Sequence, residues 1–244
     1  MLALVVAAVL FGAILQRASG IGFAVVVAPF ALIAGGATHG VILTQLLGAT
    51  SAALTLLSVH RDVEWREYGR LLPSSLLGLV LATALAARLP DAPAQIVSSA
   101  IMLVLLLLAP RIGAAASVYR NWSSLSIAGA AAGAMTVLAG VGAAALTALQ
   151  QATNWEQSRF VATLQPYLIT VSTLTVGARL AVAPTGWPDF SLGAWVLIGV
   201  ALILGIRAGD LVSRRLLAST AKRITFIVAL VGAGIALVDG FASL

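Results

Sequence analysis

Ten apolar segments, separated by short polar breaks, take up most of this 244-residue chain. Apolar residues make up 61% of the sequence and charged residues only 9%, whereas about a quarter of a soluble domain is charged. So few polar side chains cannot cover a folded chain against water, and most of its surface must face lipid. The sequence therefore predicts an all-α polytopic membrane protein, because each segment in a bilayer must satisfy its own backbone hydrogen bonds.

Three of the segments are short for a bilayer span, which takes about 20 residues, and a fourth, 123–139, is borderline. They form two consecutive pairs, 2–17 with 21–36 and 123–139 with 140–152, and each pair meets at a Gly-x-Gly sequence. The other predicted helices are 40–59, 71–89, 92–109, 160–182, 192–212 and 220–240.

The second half of the chain repeats the first. A shift of 120 residues superimposes both glycine pairs and several polar residues: Gly20 and Gly22 fall on Gly140 and Gly142, and Gln45, Thr50 and Thr55 fall on Gln165, Thr170 and Thr175. A shift of 127 places Gly78 on Gly205. We predict a first repeat at 1–109 with a hairpin at 2–36, a cytoplasmic linker at 110–122, and a second repeat at 123–244 with a hairpin at 123–152.

Positive charge favours inverted copies over parallel ones, because Lys and Arg in short loops prefer the cytoplasm. If each short pair is a re-entrant hairpin, ten loop Lys and Arg lie on the cytoplasmic side and only Arg88 lies opposite. If each pair forms one span, the split is five against six. Ten full crossings would also give the first split, so only the shortness of the paired segments favours hairpins. Both termini are then predicted to be periplasmic.

The two glycine breaks predict an anion site. In each hairpin a second half-helix begins at the break, after "SGIG" in one copy and "AGVG" in the other. Its first N–H groups lack intrahelical partners, and the helix dipole places about half a positive charge there. Two such ends arriving from opposite faces would hold an anion near the midplane. The predicted binding residues at the breaks are Ser19, Gly20, Gly22, Gly140 and Gly142.

Arg17 lies three residues before Gly20, inside the first apolar stretch. An arginine within a membrane is costly and indicates a functional site, and its planar fork could clamp a sulfonate or carboxylate group. The alternative is that it snorkels or pairs with a backbone carbonyl. The second copy has Val137 at this position, so a charged clamp would be one-sided.

Glutamine and threonine recur on one helix face in both copies. Gln165 and Ser172 are seven residues apart and so share a face, and the first copy keeps Gln45 and Thr55 on the matching face. We predict that these four residues line the substrate path. The alternative is that they form hydrogen bonds between helices.

Other features predict structure rather than chemistry. The GxxxG patterns at 129–133 and 205–209 predict close helix packing, and Arg207 and Asp210 are placed to neutralise each other on one helix. His39 is isolated, so no metal site is predicted. No catalytic constellation or nucleotide-binding motif is apparent, so neither an enzyme nor a cofactor is predicted. The net charge of +6 is spread over many short breaks, which argues against a nucleic-acid partner.

The stretch "LQRASGIGFAVVVAPFALIAGG" resembles the first signature of the sulfite exporter TauE/SafE family, also called the toluene sulfonate uptake permeases. That signature is a glycine-rich break followed by an apolar run and a proline. The stretches "AGAAAGAMTVLAGVG" and "LGIRAGDLVSRRLLASTAKRITFIVALVGAGI" are similar to the family's repeated unit and its C-terminal pair. The second break departs from the family pattern, because it lacks the richer glycine run and the proline that members often carry.

The resemblance implies secondary transport of small sulfur-containing or organic anions, such as sulfite, thiosulfate and sulfonates, across the bacterial inner membrane. It favours export, by alternating access around a midplane site between the two hairpin tips. A passive anion channel and an uptake permease are the alternatives. The predicted partners are the small anionic substrate and the lipid bilayer, while proton coupling and the oligomeric state are left open.

Overall fold

The computed structural model of the chain describes residues 2–19, 22–115, 119–184, 187–213 and 218–243. Within these ranges the chain forms α-helices, one short 3₁₀ helix at His60–Asp62 and no strand, so the all-α prediction is confirmed. The helices are α1 (Leu2–Ser19), α2 (Phe23–Val59), α3 (Trp65–Ala86), α4 (Asp91–Ala115), α5 (Trp122–Ala139), α6 (Ala143–Ala152), α7 (Gln157–Val182), α8 (Leu192–Ser213) and α9 (Ala218–Ala242).

Six helical stretches in the described part are long and apolar enough to cross a membrane. They are Phe23–Asp62, Trp65–Ala86, Trp122–Ala139, Gln157–Val182, Leu192–Val212 and Arg223–Ala242. Large apolar side chains such as Leu57, Ile127 and Leu192 are exposed on the outside of the protein, as a lipid-facing surface requires. The prediction of a polytopic membrane protein is therefore confirmed.

Glycines interrupt the helices at three places. Gly22, with φ 157°, precedes α2, and Gly140 ends α5 in a left-handed conformation with φ 73°. Gly36 has φ 67° and ψ −172° inside α2, which divides it into the parts that we call α2a (23–35) and α2b (37–59). The break predicted between 36 and 40 is thus a single residue, one that favours glycine because side chains rarely adopt such a φ.

Several predicted helix boundaries are wrong. Helix α3 begins at Trp65 rather than at 71, α4 continues to Ala115 past the predicted start of the linker at 110, and α7 begins at Gln157 rather than at 160. Hydropathy marks only the apolar part of each helix, whereas the backbone hydrogen bonds continue into polar sequence. In α3 this extension carries an i,i+3 ion pair, in which Arg70 Nη1 is 3.1 Å from Glu67 Oε1.

Helix α5 packs closely on α3, and α1 packs in the same way on α8. A Cβ atom at Gly129 would lie 2.7 Å from the carbonyl oxygen of Leu71, and one at Gly205 would lie 2.6 Å from that of Leu10. Neither position can hold a larger residue without a backbone shift. The close packing predicted from both GxxxG patterns is confirmed.

One of these contacts occurs twice in the protein. A Cβ at Gly78 would overlap the carbonyl oxygen of Ala130, just as one at Gly205 would meet that of Leu10. Gly78 and Gly205 are the glycines matched by the shift of 127 residues, and Leu10 and Ala130 are matched by the shift of 120. The packing of α5 on α3 is therefore reproduced, at matched residues, by the packing of α1 on α8.

The outer ends of α5 and α6 lie beside each other, around Glu64. Arg120, just before α5, has Nη1 3.4 Å from Glu64 Oε2, and Arg159, after α6, has Nη1 3.4 Å from Glu64 Oε1. The guanidinium of Arg120 also lies 4.7 Å from the ring centre of Trp155. We call Glu64, Arg120, Trp155 and Arg159 the ionic cluster.

The outer ends of α1 and α2a lie at the opposite end of α7. Helix α7 has 26 residues and so runs about 39 Å from the ionic cluster to the loop before α8. In that loop Phe190 lines a pocket together with Ala34 and Gly35 at the end of α2a. Helix α1 begins near the start of α8, because its residues Leu2 and Val5 belong to the same apolar cluster as Trp195.

Candidate functional site

A cavity lies between the two glycine breaks. Gly22 and Phe23 at the start of α2a line one side, and Gly140, Gly142 and Ala143 around the start of α6 line the other. Its volume is about 40 Å³, and because one water needs about 10–15 Å³, the cavity has room for a small ligand. The described residues that line the cavity carry no formal charge.

Both helix starts at the cavity lack a side-chain cap. The N-cap residues of α2 and α6 are Gly22 and Gly142, and neither position supplies a side-chain hydrogen bond. The first N–H groups of each helix therefore carry partial positive charge at the cavity wall. An anion that accepts from these N–H groups would be favoured there over a cation.

Five of the ten predicted site residues line this one cavity. They are Gly22, Gln45, Gly140, Gly142 and Ser172. The side chain of Ser19 and all of Gly20 lie outside the described residues. Arg17, Thr55 and Gln165 do not line the cavity.

Gln45 connects the second break to α7. Its Nε2 donates to the carbonyl oxygen of Gly140 at 2.9 Å, and its Oε1 accepts from Ser172 Oγ at 2.6 Å. Both side chains are almost completely buried. Gln45 and Ser172 thus fix the position of Gly140 as well as lining the cavity.

Arg17 points away from the cavity. Its Nε donates to Asp210 Oδ1 in an ion pair with α8, and its Nη1 donates to Ser58 Oγ at 3.3 Å. The predicted pairing of Asp210 with Arg207 is wrong, because the structure gives Asp210 to Arg17 and leaves Arg207 exposed. The i,i+3 spacing of Arg207 and Asp210 makes them neighbours on α8. Because α1 approaches α8 closely at Gly209, however, Arg17 of α1 lies within reach of Asp210.

Thr55 and Gln165 bond within their own helices. Thr55 Oγ1 donates to the carbonyl oxygen of Ser51 at 2.9 Å, and Gln165 Nε2 donates to that of Val161 at 2.7 Å. Hydroxyl groups within helices commonly bond back to the preceding turn in this way. In this conformation these two side chains are part of the helix framework next to the cavity.

Arg179, which is buried in α7, was not among the predicted site residues. Its Nη2 donates to the carbonyl oxygen of Val137 at 2.6 Å, near the end of α5. Ser98 of α4 donates to the next carbonyl, that of Leu138. Together with Gln45, which binds Gly140, these side chains hold the carbonyl end of α5 from three different helices. Arg179 could have been found by its spacing, since it lies seven residues after Ser172 on the same face of α7.

Gln16 and Thr136 also line the cavity and were not predicted. Each lies four residues before the first glycine of its break, and the shift of 120 residues superimposes them. The ligand contact was predicted for the neighbouring residue, Arg17, because it is charged. The repeat itself held the signal, because it places a polar residue at this one position in both copies.

The fold defines a multi-pass membrane protein in which two broken helical pairs meet at a small cavity. The chain belongs to the sulfite exporter TauE/SafE family, whose family model matches residues 4–237, nearly the whole sequence. The predicted resemblance is therefore confirmed, and it makes the protein a member of a family of membrane transporters. Neither the curated proteins nor the solved structures contain a match to this chain.

Proposed function

We propose that the protein is a secondary transporter that exports small sulfur oxyanions such as sulfite across the bacterial inner membrane. The observation that carries this proposal is the pair of uncapped helix starts, at Gly22 and Gly142, on one cavity. They offer backbone N–H groups and partial positive charge to a single ligand. The family match supports the same class of substrate.

The size of the cavity favours the smallest anions of this class. A volume of about 40 Å³ favours compact oxyanions such as sulfite and thiosulfate over a bulky aromatic sulfonate. The site consists of the five predicted residues that line the cavity. Ser19 and Gly20 stay in the proposal on sequence grounds, because they belong to the first break.

We propose further that the two halves, 1–109 and 123–244, are inverted repeats, each with a re-entrant hairpin. Three observations support this. The ends of the α5–α6 pair meet at the ionic cluster, those of the α1–α2a pair lie near the other end of α7, and the Gly78 contact recurs at Gly205. Alternating access would then follow from the two hairpins opening in turn toward opposite faces.

Transport is tested in proteoliposomes with a panel of sulfite, thiosulfate, toluene sulfonate and acetate, with and without a pH gradient. We expect saturable flux and counterflow for sulfite and thiosulfate, and none for toluene sulfonate. Flux without counterflow would indicate a channel instead. If none of the anions moves, the proposed function is wrong.

The inverted arrangement is tested separately by cysteine labelling, for which the chain is well suited because it contains no cysteine. Arg61→Cys and Asp189→Cys place single thiols at exposed positions near opposite ends of α7. A membrane-impermeant reagent should label them from opposite sides of the membrane, with periplasmic access to position 189. Labelling of both from one side would overturn the inverted repeat without affecting the transport result.

A further inference from the structure

We propose that the side-chain amide of Gln16 donates to the anion in the cavity, and that Ser51 is the positioning residue that orients it. This inference rests on the proposed function, because it concerns the same cavity. It assigns to a neutral amide the contact that the sequence analysis gave to the neighbouring Arg17.

Gln16 is placed for this contact. It lines the cavity near the end of α1, and its side chain is more than nine-tenths buried. Inside a membrane protein a buried amide keeps two strong donors, and leaving them without acceptors is costly. No described residue accepts a hydrogen bond from Gln16 Nε2.

Ser51 determines which end of the amide remains available. Ser51 Oγ donates to Gln16 Oε1 at 2.8 Å, and Ser51 is itself buried in α2b. The carbonyl end of the amide is therefore occupied, and the NH₂ end is left with its two donors. An acceptor in the cavity is the partner that this orientation suits, and an oxyanion brings several.

The other described polar side chains at the cavity have used hydrogens in contacts with the protein. Thr136 Oγ1 donates to the carbonyl oxygen of Ala132 at 2.7 Å, and Ser172 Oγ donates to Gln45. Gln45 Nε2 has one of its two hydrogens on Gly140. Gln16 therefore contributes the largest unused side-chain donor capacity, although Thr136 occupies the matched position in the second half.

This arrangement predicts an anion site built from neutral donors. The helix starts supply backbone N–H groups, and Gln16 supplies the side-chain amide. Release remains feasible because none of the described residues that line the cavity carries a formal positive charge that would hold the anion. A ligand needs a compact cluster of acceptor oxygens to meet both kinds of donor, which sulfite and thiosulfate provide.

The test compares Gln16→Glu, Gln16→Met and Ser51→Ala with the unchanged protein, by thiosulfate binding in detergent and by flux in proteoliposomes. Gln16→Glu keeps the acceptor for Ser51 but puts a carboxylate oxygen where the donor was, so we expect at least a 100-fold weaker Kd. Gln16→Met removes the donor without adding charge, and a hydrogen bond to a charged group corresponds to about 10-fold to 100-fold in affinity. Ser51→Ala should raise KM by about 3-fold to 10-fold with little change in maximal flux, and Ser51→Thr should restore it.

Gln151→Glu is the matched control, because it makes the same change at an exposed position of α6. It should bind and transport as the unchanged protein does. Thermal unfolding of each variant separates a binding effect from misfolding, since a purely structural role would lower stability equally for Glu and Met and leave KM unchanged in folded protein.

The possible outcomes distinguish a failure of the Gln16 proposal from a failure of the proposed function. If the unchanged protein binds and transports thiosulfate and both Gln16 variants match it, the Gln16 proposal is wrong and the proposed function stands. If the unchanged protein binds thiosulfate without transporting it, and Gln16→Glu loses the binding, the Gln16 proposal stands and the proposed transport function is wrong. No binding of thiosulfate or sulfite by the unchanged protein would overturn both.

Discussion

The two broken helical pairs are matched in sequence, yet their first helices are held at the break in different ways. Helix α1 carries its own arginine, Arg17, which reaches out to Asp210 and Ser58. Helix α5 has Val137 at the matched position, and the arginine comes instead from α7, where Arg179 donates to the Val137 carbonyl. In both cases a guanidinium lies near the carbonyl end of the first helix.

This difference teaches what the arginines contribute. The carbonyl end of a helix carries about half a negative charge, and a cation nearby is favourable. An unmatched negative end beside the cavity would repel an anion. Arg17 and Arg179 thus offset the negative charge of the two helix ends beside the cavity, while the positive helix starts offer N–H groups to the ligand. The second half is not missing a charge, because its charge comes from another helix.

Removing Arg179, the arginine of α7 that binds the end of α5, should have the largest effect. Arg179→Ala leaves the Val137 carbonyl without its buried donor, and we expect a loss of about 3 kcal/mol in unfolding free energy together with loss of flux. Arg179→Lys keeps the charge without the planar fork, so its stability and flux should lie between those of the unchanged protein and Arg179→Ala. Unfolding in detergent measures the effect, with Arg17→Ala as comparison. Equal losses for Arg17→Ala and Arg179→Ala would break the contrast between the two pairs.

The repeated glycine contact sharpens the comparison, because here the two halves should behave alike. Gly78→Ala and Gly205→Ala each force a methyl group against a backbone carbonyl, at an expected cost of about 1–3 kcal/mol. Gly199→Ala is the control in α8, since a Cβ there meets no atom within 4 Å. It should be neutral or slightly stabilising. A cost at only one of the two contact glycines would contradict equivalent packing.

The matched glutamines should differ, since only one of them crosses to another element. Gln45→Leu loses bonds to Gly140 and Ser172, and we expect a cost of about 1–2 kcal/mol. Gln165→Leu loses one bond within its own helix and removes an oxygen, Oε1, that is buried without a partner. Its stability should change by less than about 0.5 kcal/mol. A larger loss at Gln165 would show that its side chain has a partner in another conformation.

Most of the fold could be predicted from local sequence. The apolar segments gave the helices, and the Gly-x-Gly patterns gave the breaks at Gly22 and Gly140, because both signals depend on neighbours along the chain. The helix ends at Trp65 and Ala115 could not be read from hydropathy, since their polar residues look the same in a helix and in a loop.

The site residues were predictable only where the alignment of the two halves of the sequence matched them to each other. The shift of 120 residues found the two breaks and Gln45, which the cavity brings together with Ser172. The partner of Arg17 was not predictable, because the contact with Asp210 joins residues 193 positions apart. Gln16 and Arg179 were missed for a similar reason. Their roles depend on which helices meet at the cavity, and the charge of a residue does not indicate which helices these are.

A small effect is also expected at the Arg17–Asp210 pair, where both side chains are partly exposed, at 26% and 41%. Pairs of this kind contribute about 0.2–1 kcal/mol, so Arg17→Gln and Asp210→Asn should each change stability by no more than that. In a double-mutant cycle the combined variant should be about as stable as either single one, because each removes the same interaction. The cycle also compares the two roles considered for Arg17. A helix-end ion pair predicts similar KM values for both single variants, whereas a ligand clamp predicts that only Arg17→Gln raises KM by 10-fold or more.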